Sequence, residues 1–197
     1  MVLWLKGFVA LQAPVAQGIE QRFPKPCVGG SSPPGRTKNP RGLLPMMDDV
    51  QRMQRALDQA NRAAQAGEVP VGAVLFSHDG RMLASNHNRR ETDQDPCAHA
   101  EILVIRQAAQ AIGQWRLTGA TLAVTLEPCL MCAGAIILAR IERLIYGASD
   151  PKAGAVISLY RALDDPRLNH QVMVEGGILA DQSRELLQRF FHERRQR

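Results

Sequence analysis

From residue 46 onward, apolar and polar positions follow clear periods. Val50, Met53, Leu57, Ala60 and Ala64 recur at steps of three and four, so they fall on one face of a helix. Asp48 or Asp49 is the expected N-cap and Gly67 the stop. Val71-Gly72-Ala73-Val74-Leu75-Phe76 is a continuous apolar run, the mark of a buried strand. Asp79-Gly80 is a hairpin turn pair, which predicts an antiparallel return over residues 81–88. An Ala-rich amphipathic helix is expected over 98–112, and a third strand over 120–126. Pro128 suits the first turn of a helix running to about Ile141, because that position has no use for an amide hydrogen. A strand at 144–146, a helix over 154–163, a strand at 172–174 and a helix over 181–195 complete the pattern. Strands alternating with helices predict an α/β sheet covered by helices, and the hairpin makes that sheet mixed.

The segment before residue 46 has no such period. It carries Pro24, Pro26, Pro33, Pro34, Pro40 and Pro45 around Gly29-Gly30-Ser31-Ser32, a composition expected of a disordered extension. Gly30-Ser31-Ser32-Pro33-Pro34 can also be encoded by a string resembling the T-arm of a tRNA gene, with Val15 to Gln21 typical of the same mistranslation. The expected organisation is therefore an extension over 1–46, whose start is mis-assigned if Met46 or Met47 is the true initiator, and one domain over 47–197.

Charge follows the same division. The chain of 197 residues has a formal net charge of +5, and all of it lies in residues 1–45, where six basic residues face only Glu20. The other 18 basic and 18 acidic residues cancel, so overall charge is no evidence that the domain binds nucleic acid. Any such binding must come from a local patch. Arg184, Arg189, Arg194, Arg195 and Arg197 gather at the C-terminus, where they equally suit the end of a helix dipole. No apolar run is long enough to span a bilayer.

The chemistry-bearing residues open two predicted helices. Pro96-Cys97-Ala98-His99-Ala100-Glu101 precedes one, and Pro128-Cys129-Leu130-Met131-Cys132 precedes the other. His99, Cys129 and Cys132 offer one nitrogen and two thiolates, a three-ligand set that leaves a catalytic zinc one open position. Thiols on a first helical turn ionise readily, and a zinc site fits a reducing compartment. A structural zinc clip is the competing reading, but such clips are usually closed by four ligands. Cys97 lies only two residues before His99 and is a poor fourth. Glu101 is a hard ligand beside two thiolates and is better used to move protons. His99 and Glu101 can share a pocket only where the helix begins to wind, since positions i and i+2 of a regular helix diverge.

His-x-Glu followed by Pro-Cys-x-x-Cys is the general signature of zinc nucleobase deaminases, TadA among them. Over about residues 48–195 the chain resembles the bacterial tRNA-specific adenosine deaminases of the TadA family, in the cytidine/deoxycytidylate deaminase superfamily. The matching stretches are Glu68 to Val74, Asp95-Pro96, Ala98 to Glu101, Thr125 to Cys129, Met131 to Ala135, and Phe190-Phe191 before Arg194-Arg195. Cys97 departs from the family's threonine. The resemblance implies a three-layer α-β-α cytidine-deaminase-like fold with a central five-stranded mixed sheet flanked by helices. It further implies a cytoplasmic homodimer with one Zn2+ per subunit, converting adenosine to inosine at wobble position 34 of a tRNA anticodon stem-loop, an ACG anticodon foremost. Glu101 would be the proton shuttle. Asn88, Val71 and Ala100 would meet the purine, and Asp150, Lys152, Phe191 and Arg194 the anticodon loop. Read from the residues alone, Asn88 suits a turn, Val71 and Ala100 the core, and Phe191 helix packing. A deaminase of free guanine or cytosine would share the zinc site, a zinc-stabilised partner subunit would be expected to lack Glu101, and a plain RNA-binding module is disfavoured by the neutral charge.

Overall fold

The computed structural model describes residues 47–196; the expectations for residues 1–46 fall outside the described residues. The chain forms α1 (Asp49–Gln65), β1 (Gly72–Phe76), β2 (Met82–His87), α2 (Arg90–Asp93), α3 (Ala100–Ile112), β3 (Thr121–Leu126), α4 (Leu130–Leu138), β4 (Arg143–Ala148), β5 (Met173–Gly176) and α5 (Ala180–Arg195). The strands lie in the order β2-β1-β3-β4-β5. β1 runs antiparallel to β2 and β3, while β3, β4 and β5 are parallel. The mixed five-stranded sheet expected from the sequence is thus present.

Side chains alternate between its faces, as strand geometry requires. Ala73, Leu75, Leu122, Val124, Leu144 and Tyr146 point to one side, where they pack with Ala100, Val104, Ala108, Ala133 and Ile136 of α3 and α4. Val74, Phe76, Ala123 and Ile145 point to the other and meet Met53 and Ala56 of α1. α5 also packs on β4 and α1.

α1 begins in a capping box: Asp48 accepts from the Gln51 amide at 2.8 Å, and Gln51 returns the bond to the Asp48 amide at 3.0 Å. Such a cap contributes about 1 kcal/mol. Its buried apolar face starts at Met53; Val50, placed on that face by its spacing, lies in the first turn and is 53% exposed. The β1–β2 turn is closed by Ser77 and Arg81, and Gly80 takes the left-handed conformation there (φ +82°). α1 presses so closely on β1 that a Cβ at Gly72 would lie 2.1 Å from the Ala56 carbonyl and 2.4 Å from the Ala60 amide. Gly72→Ala is therefore expected to lower stability by about 3 kcal/mol or more, because two backbones must separate. The measurement is the denaturation midpoint, and a loss below about 0.5 kcal/mol, the range of a neutral surface change, contradicts this packing.

Three expectations fail. Residues 154–163 form successive turns and no helix, because several of their amides bond to a distant carboxylate rather than to carbonyls one turn back. Pro128 lies outside α4, one residue before its N-cap Cys129, and its carbonyl accepts from the Ala155 amide at 2.8 Å. α4 ends at Leu138 rather than near Ile141. Arg140 turns left-handed (φ +61°), and the Arg140 and Ile141 amides bond back to Ile137 and Ile136, which folds the buried Ile141 onto the helix end. The short α2 between β2 and α3 has no periodic signal in the sequence.

Candidate metal centre and active site

The two motifs meet because both lie where an extended segment starts a helix on the same face of the sheet. His99 is the N-cap of α3 and Cys129 the N-cap of α4, each with extended backbone (ψ 149° and 175°). The helical turns that follow carry Glu101 and Cys132 inward. This resolves the geometric demand on His99 and Glu101: the cap residue lies outside the helical spacing, so its side chain and that of Glu101 reach one pocket.

His99 Nδ1 lies 3.7 Å from Cys129 Sγ and 3.5 Å from Cys132 Sγ, and the two sulfurs are 3.7 Å apart. Ligands at about 2.0–2.3 Å from a tetrahedral zinc ion stand roughly 3.5–3.8 Å from one another. The three atoms therefore already have the spacing of three corners of such a site. Among the described residues they are the one His/Cys/Asp/Glu group close enough to hold a metal ion. Cys97 is exposed and outside it. Cys129 is drawn down to about 3, first by the hydrogen bond it shares with Cys132 and then by His99. The same bond, together with burial, pushes Cys132 up, and the bond to Cys129 raises His99. A divalent cation among the three atoms would hold both sulfurs as thiolates. Glu101 is 4% exposed, and burial is the main reason its carboxyl is raised above the usual range.

A pocket of about 200 Å³ opens over this centre. His99, Glu101 and Cys129 line it together with Val71, Asn88, Ala100 and Asp150, four of the residues singled out for substrate contact. The other three lie elsewhere. Lys152, Phe191 and Arg194 line a second cavity of about 420 Å³ with Arg184, Leu187 and Arg195. The loop after β4 joins the two, since the Lys152 amide bonds to the Asp150 carboxylate at 2.9 Å. Phe191 is not the packing residue its position suggests: Phe190 is buried, while Phe191 is 44% exposed. Arg194 stacks over Phe190 at 5.2 Å.

Sequence reasoning missed several pocket residues: Val69, Arg90, Leu126, Glu127 and Ala153. Glu127 is the most consequential. Buried beneath the loop, it accepts from the amides of Asp150, Val156, Ile157 and Ser158 at 2.8–3.0 Å and from the Ser158 hydroxyl. Burial pushes this carboxyl up, but the hydrogen bonds from Ile157, Ser158 and Asp150 outweigh it and leave it lowered. Gly154 is required beside it, because a Cβ there would lie 2.5 Å from the carboxylate. The only local signal was the acidic residue itself before Pro128; its donors lie 23 to 31 residues downstream.

Residues 47–195 match the family model described as MafB19-like deaminase. The tRNA-specific adenosine deaminase of Bacillus subtilis (strain 168) is 48% identical over 152 residues, which is 77% of this chain and 94% of that protein. The chain belongs to the tRNA-specific adenosine deaminase family. Its counterpart in Agrobacterium fabrum is 50% identical over 150 residues, 76% of this chain and 98% of the relative. A solved structure from a study of A-to-I editing by tRNA:A34 deaminases superimposes with a TM-score of 0.66 at 51% identity, covering 69% of this chain and 98% of its own. The family fold is the five-stranded mixed sheet with helices on both faces, and the alternative reading as a deaminase of free guanine or cytosine is not favoured.

Proposed function

We propose that this chain hydrolyses adenosine to inosine at wobble position 34 of tRNA anticodon loops. The observation that carries the reading is the convergence of His99, Cys129 and Cys132 on one point beside buried Glu101, in a pocket that Asn88 also lines. His99, Cys129 and Cys132 would hold one zinc ion, which supplies a water acidic enough to lose a proton near neutral pH. Glu101 takes that proton and delivers it to the purine ring nitrogen as the oxygen adds to the carbon bearing the amine. It then takes the remaining proton of the added hydroxyl and passes it to the amine as the carbon–nitrogen bond breaks, so that adenosine and water become inosine and ammonia. Burial suits Glu101 to this work by keeping its carboxyl easily protonated.

Val71, Ala100 and Asn88 hold the purine: the first two give apolar contact and Asn88 a hydrogen bond. The second cavity takes the rest of the anticodon loop. Lys152, Arg194 and Arg184 present cations to phosphates there, and exposed Phe191 offers a ring on which a base can stack. A local cationic patch serves a domain whose overall charge is neutral. Two such subunits form the working unit. Leu130 and Leu138 on α4 and Ile157, Leu159 and Tyr160 on the neighbouring loop, each more than half exposed, provide apolar surface for the contact. No helix among the described residues is long and apolar enough to cross a membrane, and a tRNA substrate places the enzyme in the cytoplasm.

The test incubates the zinc-loaded chain with an anticodon stem-loop bearing ACG and, separately, with free adenosine, cytidine and guanine. Inosine is expected from the stem-loop alone. Turnover of a free base or nucleoside without turnover of the stem-loop overturns the reading in favour of a small-molecule deaminase.

A further inference from the structure

Glu68 is a buried carboxylate that the chemistry above does not use. It stands between α1 and β1, 1% exposed, one residue before Val69 of the pocket lining. Both of its oxygens accept hydrogen bonds: Oε2 from Asn88 Nδ2 at 3.0 Å and Oε1 from the Thr92 amide at 2.7 Å. An asparagine amide has two ends of the same shape, one a donor and the other an acceptor. Left without a partner, Asn88 could turn either end into the pocket. A carboxylate opposite it removes that freedom, because it has only acceptors to offer. The amide nitrogen must face Glu68, which leaves Oδ1 and the second amide hydrogen for whatever occupies the pocket. The bond to Thr92 ties the same carboxylate into α2, so Glu68 itself cannot swing away when Asn88 engages a ligand. Burial strengthens the constraint, since water cannot replace either bond at little cost.

We propose that Glu68 is a positioning residue for the purine: it fixes the orientation of the Asn88 amide and so sets the hydrogen-bond pattern that the pocket offers the base. The inference rests on the reading of this pocket as an adenosine site. Glu68 does not touch the substrate in this scheme; it acts only through Asn88.

The experiment joins kinetics to a measurement that needs no turnover. Glu68→Gln keeps the side-chain size but can donate as well as accept, so Asn88 is no longer held one way round. On the anticodon stem-loop, kcat/KM is expected to fall about tenfold or more, with zinc content unchanged, the range of coupling between residues in one hydrogen-bond network. In an Asn88→Ala background the same substitution is expected to change kcat/KM less than about threefold, because the partner is already gone. Glu68→Asp, which keeps two acceptors on a shorter arm, should recover part of the loss. Separately, the Asn88 side-chain amide pair is followed in a proton–nitrogen correlation spectrum and assigned by its absence in Asn88→Ala. One hydrogen is expected to exchange slowly in the parent chain and at the rate of an exposed amide in Glu68→Gln. If the parent chain makes no inosine, the proposed function fails, and the amide spectrum still decides the orientation. An Asn88 pair indifferent to Glu68→Gln, or an equal kinetic cost in both backgrounds, overturns the positioning role.

Discussion

Glu101→Ala is expected to leave the protein with one zinc ion per chain and to lower inosine formation by about four orders of magnitude, the upper end of general acid–base contributions. The upper end applies because one carboxyl handles every proton transfer. It takes a proton from the attacking water and gives it to the ring, then takes the remaining proton of the added hydroxyl and gives it to the amine, and Glu101 is the acidic residue beside the three-atom centre in the pocket. Metal content should not change, because the donor atoms are His99 Nδ1, Cys129 Sγ and Cys132 Sγ, each fixed by its own position at a helix start. Atomic emission gives the zinc stoichiometry and single-turnover conversion of the stem-loop gives the rate. A variant that keeps its zinc and turns over within tenfold of the parent would remove Glu101 from the mechanism.

The second large effect concerns the metal itself. Cys132→Ala is expected to lose both zinc and activity. Cys132 is wholly buried, and its removal leaves two donor atoms where a tetrahedral site needs three from the protein. Purified variant should carry less than about a tenth of an equivalent of zinc after gel filtration, with no measurable inosine. Stability should fall too, since a ligand that binds only the folded chain at a thousand times its Kd contributes about 4 kcal/mol. Chelation of the parent protein should reproduce that loss of stability and leave the variant unmoved. Cys97→Ala is the control: this exposed thiol lies outside the cluster, and its variant should bind zinc like the parent. Full zinc occupancy in Cys132→Ala would mean that a different ligand set holds the metal.

The candidate donor atoms and the carboxyl beside them are legible in the amino-acid sequence because they are encoded over short spacings. Cysteines three apart at a helix start present their sulfurs together, and a proline before the first marks where the helix begins. The strands and helices are legible for the same reason, since periods of two and 3.6 are local properties of the backbone. Where local signals compete with distant ones, the expectations fail. The segment 154–163 is expected to be helical, yet the Glu127 carboxylate collects amides from it and folds it into turns. α4 has no glycine at its end, yet Arg140 adopts a positive φ there because burial of Ile141 rewards the turn.

The chain by itself determined the five strands and α1, α3, α4 and α5 in their order, the three candidate donor atoms, the neighbouring carboxyl and the kinship with a deaminase family. Packing alone decided which of the residues expected to contact substrate share a cavity: Asn88, Val71, Ala100 and Asp150 surround the centre, whereas Lys152, Phe191 and Arg194 line a separate hollow against α5. It also decided that Glu68 holds Asn88 and that Glu127 shapes the loop between the two cavities. Those bonds join residues 20 or more positions apart. No periodicity records such a pairing, because it exists only once the sheet has brought both ends together and excluded the water that would otherwise satisfy them.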